Sequence, residues 1–221
     1  IGTEERKTLE DYCLGYMEFL NANRTEREAV KTAIEMAEEA GFVEYRAGMS
    51  LEAGSRVYRN NRGKALMLAV IGEKSLAEGC VIAGAHVDAP RIDLKQNPLY
   101  ESDELAFFKT HYYGGIKKYQ WVTIPLELHG VVALKNGEIV DVTIGREPED
   151  PQFVITDLLP HLGKDQAQKK RDEFFPAEDL DPVCWSTLPD GKDAKAKLGL
   201  VAYLKKTYKV SEEDLLSAEL E

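Results

Sequence analysis

The 221-residue sequence has only three cysteines, Cys13, Cys80 and Cys184, and they lie far apart. They do not form the close-spaced pairs that are typical of structural zinc sites and redox motifs. Because their number is odd, they also do not make up a disulfide framework. A chain of this length can bury a core without such cross-links. We therefore expect free thiols and a cytoplasmic protein.

Long apolar runs and positive charge are also scarce. No run approaches the roughly 20 residues that a membrane-spanning helix needs, and no basic-then-apolar leader opens the chain. Lys and Arg number 28 against 39 Asp and Glu, giving a formal net charge of −11. Binding to nucleic acid depends on neutralising phosphates, so we expect neither nucleic acid nor membrane as a partner. The chain begins at Ile1 and ends at Glu221 within an alternating pattern, and we expect both ends to be cut.

The first half of the chain predicts two helices followed by buried strands. Apolar residues recur at helical spacing over 4–22, and the Thr25-x-x-Glu28 capping box opens a second helix. The continuous apolar runs 65–71 and 79–85 predict strands covered on both faces. This order of elements is typical of a layered α/β domain.

The second half of the chain is predicted to be rich in β-structure. Asn136-Gly137 between alternating segments is a strong signal for a hairpin. We predict a loop or strand followed by a helix over 152–170, and a loop over 173–193. A last helix is predicted around 198–204, and 218–221 has the pattern of a beginning strand.

His86 and Asp88 stand at the end of the predicted strand 79–85, where open α/β sheets usually hold ligands and metals. Residues two apart lie on the same side of a strand, so the carboxylate of Asp88 can approach the imidazole and fix its tautomer. A structural histidine is the commoner interpretation of this spacing alone. His129, inside a β pattern, is expected to be structural. No Ser or Cys stands in a nucleophile motif.

Two longer motifs carry a resemblance to a known family. The stretch 83–95 contains His-x-Asp-x-Pro, and 109–116 contains Tyr-Gly-Gly. Together they resemble the aspartyl-aminopeptidase family of binuclear zinc peptidases, and its bacterial branch in particular. The similarity runs along nearly the whole chain and includes Leu158–Leu162.

The resemblance implies an α/β fold, part of a three-layer zinc-peptidase catalytic domain with an inserted β-rich dimerisation domain. Residues 1–99 would be the first part of the catalytic domain, 100–215 the inserted domain, and 216–221 the start of the return to the catalytic domain.

The resemblance also implies roles for single residues. His86 would bind one of two zinc ions, and Asp88 would orient His86. In relatives a histidine of the inserted domain reaches the neighbouring subunit's active site. His161 is our candidate for that role, with His111 as the alternative. The other metal ligands and the general base follow the inserted domain in relatives, so we predict that the isolated chain binds zinc weakly and is inactive.

The resemblance therefore predicts a zinc-dependent aminopeptidase that removes N-terminal, characteristically acidic, residues from peptide substrates and forms a homo-oligomer built from dimers. The alternative is a non-catalytic self-association module or inactive fragment. A third possibility is an α/β protein in which His86 has no metal role.

Overall fold

The computed structural model describes residues 2–190 and 195–221. The chain divides into two compact parts, unit 1 (Ile1–Ala89) and unit 2 (Pro90–Glu221). This division falls ten residues before the one that the resemblance implies, because a single long strand runs from Arg91 to Ser102 and pairs within unit 2. Whether 100–215 is a dimerisation domain stays a prediction.

Unit 1 begins with the two predicted helices, α1 (Thr3–Ala22) and α2 (Glu26–Glu39). The capping box of α2 is formed in both directions. The Thr25 side chain accepts a hydrogen bond from the Glu28 N–H at 3.2 Å, and the Glu28 carboxylate accepts one from the Thr25 N–H at 3.1 Å. The local sequence signal therefore sets the start of this helix.

The sheet of unit 1 contains β1 (Val43–Glu44), β2 (Arg56–Asn61) and β3 (Ala65–Val70) in the order β1-β2-β3. β1 pairs parallel with β2, and β3 pairs antiparallel with β2 along its whole length. Helix α2 packs on β2 and β3. Val30 and Tyr58 are buried there, and the Tyr58 hydroxyl donates to Glu38 at 2.6 Å.

The prediction of two strands covered on both faces is wrong for unit 1. β3 forms, but Met67 and Val70 remain exposed. The run 79–85 forms no strand, and Val81 and Ile82 lie in solvent. An apolar run becomes a buried strand only where a neighbour supplies hydrogen bonds and cover, and no strand among the described residues pairs with this run.

Unit 2 is rich in β-structure, as predicted. Its described residues form a five-stranded sheet of order β4-β5-β10-β9-β6, a three-stranded sheet of order β11-β7-β8, and one α-helix. The elements are β4 (Arg91–Ser102), β5 (Leu105–Tyr113), β6 (Pro125–Leu126), β7 (Leu128–Ala133), β8 (Ile139–Ile144), β9 (Phe153–Val154), β10 (Val183–Trp185), α3 (Ala196–Tyr208) and β11 (Ala218–Leu220).

The two sheets and α3 enclose the main core of unit 2. Phe108 of β5, Val132 of β7 and Ile144 of β8 are buried in it, and α3 contributes Leu200 and Leu204. The predicted Asn-Gly hairpin is confirmed as the turn between β7 and β8. The predicted last helix and terminal strand are confirmed as α3 and β11.

Two predictions for unit 2 are wrong. The segment 152–170 contains β9 and a single 3₁₀ turn, Gln166–Gln168, instead of a helix. Pro160 and Gly163 interrupt it, and both residues disfavour a helix interior. The predicted loop 173–193 contains strand β10, while residues 191–193 of that prediction lie outside the described residues.

The helices and sheets of both units confirm the α/β fold class. None of the helices within 2–190 and 195–221 is long and apolar enough to cross a membrane.

Gly199 gives a test of the α3 packing. A Cβ at this position would lie 2.2 Å from Trp185 Nε1 and 2.7 Å from Cε2 of the same ring. Alanine favours a helix over glycine by roughly 1 kcal/mol, but overpacking costs about 1–3 kcal/mol. We expect Gly199→Ala to lower the free energy of unfolding, as measured by urea denaturation.

Gly15→Ala is the matched control, because among the described residues nothing beyond its chain neighbours and the backbone of its own helix lies within 4 Å of a Cβ at that position of α1. It should leave the protein as stable or more stable. A Gly199→Ala variant as stable as the wild type would contradict the packing described.

Candidate metal centre

His86 and Asp88 lie close together at the end of unit 1, in an irregular segment outside any strand. His86 Nδ1 is 2.7 Å from the backbone carbonyl oxygen of Asp88 and 3.2 Å from its carboxylate Oδ1. The His86 side chain is 81% exposed and that of Asp88 is 41% exposed. The predicted proximity of the two residues is confirmed, but the closer partner of the ring is the Asp88 backbone.

This geometry determines the state of the imidazole. A carbonyl oxygen only accepts hydrogen bonds, so the contact at 2.7 Å requires the proton on Nδ1. In the neutral ring Nε2 then carries the lone pair, which is the form that binds a metal ion. Nε2 has no hydrogen-bond partner among the residues that the structure describes.

The described residues can supply one protein ligand to a zinc site, the imidazole of His86. Within 2–190 and 195–221 no group of three or more His, Cys, Asp or Glu side chains is placed to hold a metal ion. Catalytic zinc commonly takes three ligands from protein. His86 can therefore supply an imidazole, but it does not complete a zinc centre with these residues.

The other histidines have different surroundings. His161 lies in an exposed turn of unit 2 beside the exposed Leu159 and Leu162. His111 pairs across the sheet with Asp93, and its Nε2 is 4.0 Å from the Asp93 carboxylate. His129 is buried in β7 as expected for a structural residue, with Nε2 at 2.8 Å from Glu127.

Burial argues against Cys184 as an alternative nucleophile. Cys184 is buried in the core of unit 2, and burial raises the pKa of its thiol far above the usual range. Cys13 and Cys80 are exposed, and neither is part of a disulfide.

Comparison with known proteins assigns the chain to a family. The model for "Aminopeptidase I zinc metalloprotease (M18)" matches residues 19–221, which is most of the sequence. The chain belongs to the M18 family. Its His-x-Asp pair thus lies in a family of zinc metallopeptidases, consistent with the zinc chemistry expected from the sequence.

M18 relatives support the family assignment by both sequence and structure. A probable M18 family aminopeptidase 1 of Clostridium acetobutylicum is 45% identical over 99% of this chain. The crystal structure of an M18 aminopeptidase from Thermotoga maritima superimposes over the whole chain with a TM-score of 0.91 at 40% identity. Aminopeptidase I of Borrelia burgdorferi gives 0.86 at 35% identity.

This M18 chain spans about half the length of the relatives it matches. It covers 49% of the Clostridium acetobutylicum protein, 48% of the Thermotoga maritima chain and 50% of the Borrelia burgdorferi chain. Family membership is thus established for the chain, while the activity of a whole protein is a separate question.

Sequence reasoning missed one charged cluster three residues beyond Asp88. Arg91 Nε lies 2.7 Å from Asp93 Oδ1 and 2.5 Å from Glu221 Oε2. Alternation could have predicted the contact between Arg91 and Asp93, since both lie on one face of β4. No local signal predicts that residue 221 reaches residue 91.

The ring state of His86 is directly testable. We expect the Nδ1–H tautomer to predominate at pH 8, as measured from ring ¹⁵N chemical shifts. Asp88→Asn should keep this tautomer, because the closest acceptor is the backbone carbonyl. His161, to which the described residues offer no such contact, serves as the internal comparison. A His86 ring with its proton mainly on Nε2 would contradict the geometry.

Proposed function

We propose that this chain supplies a zinc ligand and the β-rich domain of an aminopeptidase that removes N-terminal, preferentially acidic, residues from peptides. The observation that carries the proposal is the oriented imidazole of His86, with Nδ1 held by Asp88 and Nε2 exposed, in a member of the M18 family. The acidic preference rests on the resemblance to aspartyl aminopeptidases. The free cysteines support a cytoplasmic location.

His86 and Asp88 have separate tasks in this proposal. His86 offers Nε2 to one of two zinc ions. Asp88 keeps the proton on Nδ1 through its backbone carbonyl, with its carboxylate nearby, and this contact orients the ring. Bound zinc would lower the pKa of a coordinated water and polarise the peptide carbonyl. By the resemblance, the remaining ligands would follow the inserted domain, and the described residues hold no group of three or more His, Cys, Asp or Glu side chains placed to bind a metal ion.

Unit 2 is proposed to form the contacts between subunits of a homo-oligomer built from dimers. The turn around His161 exposes the side chains of Leu158, Leu159 and Leu162. An exposed apolar patch of this kind is typical of a surface that contacts another protein. Placed against a second subunit, these side chains would be covered and His161 would be carried toward the partner's active site. His111 suits this role less well, because Asp93 lies opposite it on β4.

The competing function is a non-catalytic self-association module. It is favoured by the absence of a multi-ligand metal cluster among the described residues. The two functions differ in what His86 does, since only the peptidase function requires it to bind zinc.

Zinc binding and turnover by the purified chain separate these functions. We expect weak zinc binding that His86→Ala reduces by about tenfold or more, measured by competition with a chromophoric chelator. Cys13→Ala, which removes an exposed thiol of α1, is the control and should leave the affinity unchanged. With zinc present, no release of 4-nitroaniline from the aspartyl or alanyl anilide is expected.

Two results would contradict this expectation. Equal zinc affinities of the wild type and His86→Ala would show that His86 is not a zinc ligand. Efficient anilide hydrolysis by the 221 residues would show that they contain a complete active centre.

Self-association is tested by sedimentation equilibrium. We expect a dimer whose dissociation constant rises by about tenfold or more in Leu159→Glu, because a charge would replace a leucine that the proposed interface would bury. Leu76→Glu, at an exposed leucine of unit 1, is the control and should not change it. A wild-type chain that stays monomeric at high concentration would exclude the proposed role of unit 2.

A further inference from the structure

Two short segments of unit 2 concentrate positive charge in a chain that is acidic as a whole. Lys117 and Lys118 lie at the start of the 3₁₀ turn Lys118–Gln120, and 169–171 has the sequence Lys-Lys-Arg. Lys117 and residues 169–171 are exposed, and Lys118 is half-buried. Lys117, Lys118 and residues 169–171 are together called the basic patch. Since the formal net charge of the chain is −11, this patch is a local exception.

Apolar anchors bring the two basic segments to the same surface of unit 2. Ile116 and Trp121 flank the first segment, Phe174 follows the second, and all three pack against one buried apolar cluster. The guanidinium carbon of Arg171 also lies 5.1 Å from the centre of the Tyr119 ring, within cation–π distance. The second segment therefore contacts the first directly, although the two are far apart in sequence.

The cations of the basic patch have no ion-pair partner in the described part of the chain. Elsewhere in unit 2, Lys95 pairs with Glu178 at 3.0 Å. No residue within 2–190 or 195–221 forms an ion pair with the patch, although Asp172 and Glu173 follow it directly in sequence. Like charges held near one another repel, so an anion placed over them is attracted by several cations at once.

The chemistry of these side chains fits carboxylates on a flexible chain. Lysine ammonium groups are mobile point charges, and an arginine guanidinium can bind a carboxylate with two N–H groups at its edge. One face of the Arg171 guanidinium lies over Tyr119, which leaves that edge to a ligand. A long polyanion such as nucleic acid would extend beyond the patch, over a chain whose net negative charge repels it. A short acidic peptide is attracted without that repulsion.

We propose that the basic patch binds a short acidic peptide segment, with several Asp or Glu side chains placed against both basic segments. The contact with Tyr119 holds Arg171 beside the first segment, so that one peptide can bridge the two. The partner is thus a flexible protein segment rich in Asp and Glu. This binding belongs to unit 2 alone and needs neither zinc nor hydrolysis, so it goes beyond the proposed peptidase activity.

An NMR titration of the ¹⁵N-labelled 221-residue chain with N-acetylated, C-amidated hexaglutamate tests the proposal. We expect saturable shifts of the amide signals of 117–120 and 169–171, while Val142 in the main core stays unchanged as the reference. Binding should weaken as salt is added, because the charges of the patch are exposed to solvent. Hexaglutamine, which has no charge, should cause no such shifts.

A matched pair of variants separates the patch from the net charge of the chain. Lys117→Gln combined with Lys169→Gln removes one cation from each basic segment, and it should raise the dissociation constant of hexaglutamate by about fivefold or more. Lys205→Gln combined with Lys206→Gln changes the net charge equally at two exposed residues of α3. This control should stay within about twofold of the wild type.

Four results would overturn the proposal: no binding of hexaglutamate, shifts confined to other surfaces, equal effects of the two double variants, or tighter binding of a single-stranded oligonucleotide of the same charge. The last result would make the patch a nucleic-acid surface instead. None of these measurements uses zinc or the turnover of a substrate. Failure of the proposed peptidase function would therefore leave peptide binding by the patch intact, and the reverse also holds.

Discussion

The close approach of β11 to β7 at Gly130 is the constraint on which unit 2 depends. Gly130 has a φ of +139°, and a Cβ there would lie 2.0 Å from the carbonyl oxygen of Glu219. Only glycine permits both the backbone conformation and the contact. The pairing that results buries Leu220 and places Glu221 beside His129. The last residues of the chain thereby become part of the core of unit 2, and Glu221 comes within reach of Arg91.

Unit 1 shows what happens where such pairing is missing. The runs 65–71 and 79–85 are among the most apolar of the sequence, yet one forms a strand with exposed faces and the other forms no strand. Burial of an apolar strand requires neighbours on its faces and hydrogen bonds at its edges. Helix α2 covers part of β2 and β3, and the described residues supply nothing comparable for 79–85. Composition alone therefore predicts which segments favour burial, but not which become buried.

The same distinction explains how much of the structure could be predicted. Thr25 with Glu28, and Asn136 with Gly137, are signals complete within a few residues, and both features form as predicted. The contact between His86 and Asp88 is also local, spanning two residues. The helix expected within 152–170 does not form, because Pro160 and Gly163 interrupt the segment. The pairing of Arg91 with Glu221 joins residues 130 positions apart, and no local pattern encodes it.

The difference between local and distant contacts also explains the candidate site. The orientation of His86 needs only its own segment, because the acceptor for Nδ1 is the backbone of Asp88. A catalytic zinc centre needs several donors, and in an open α/β sheet such donors usually meet where the carboxyl ends of strands lie side by side. In unit 1 that sheet is not formed around 79–85. The described residues can thus orient one imidazole while forming no cluster of metal donors, and any metal site that includes His86 would need further donors brought to it by additional strand pairing.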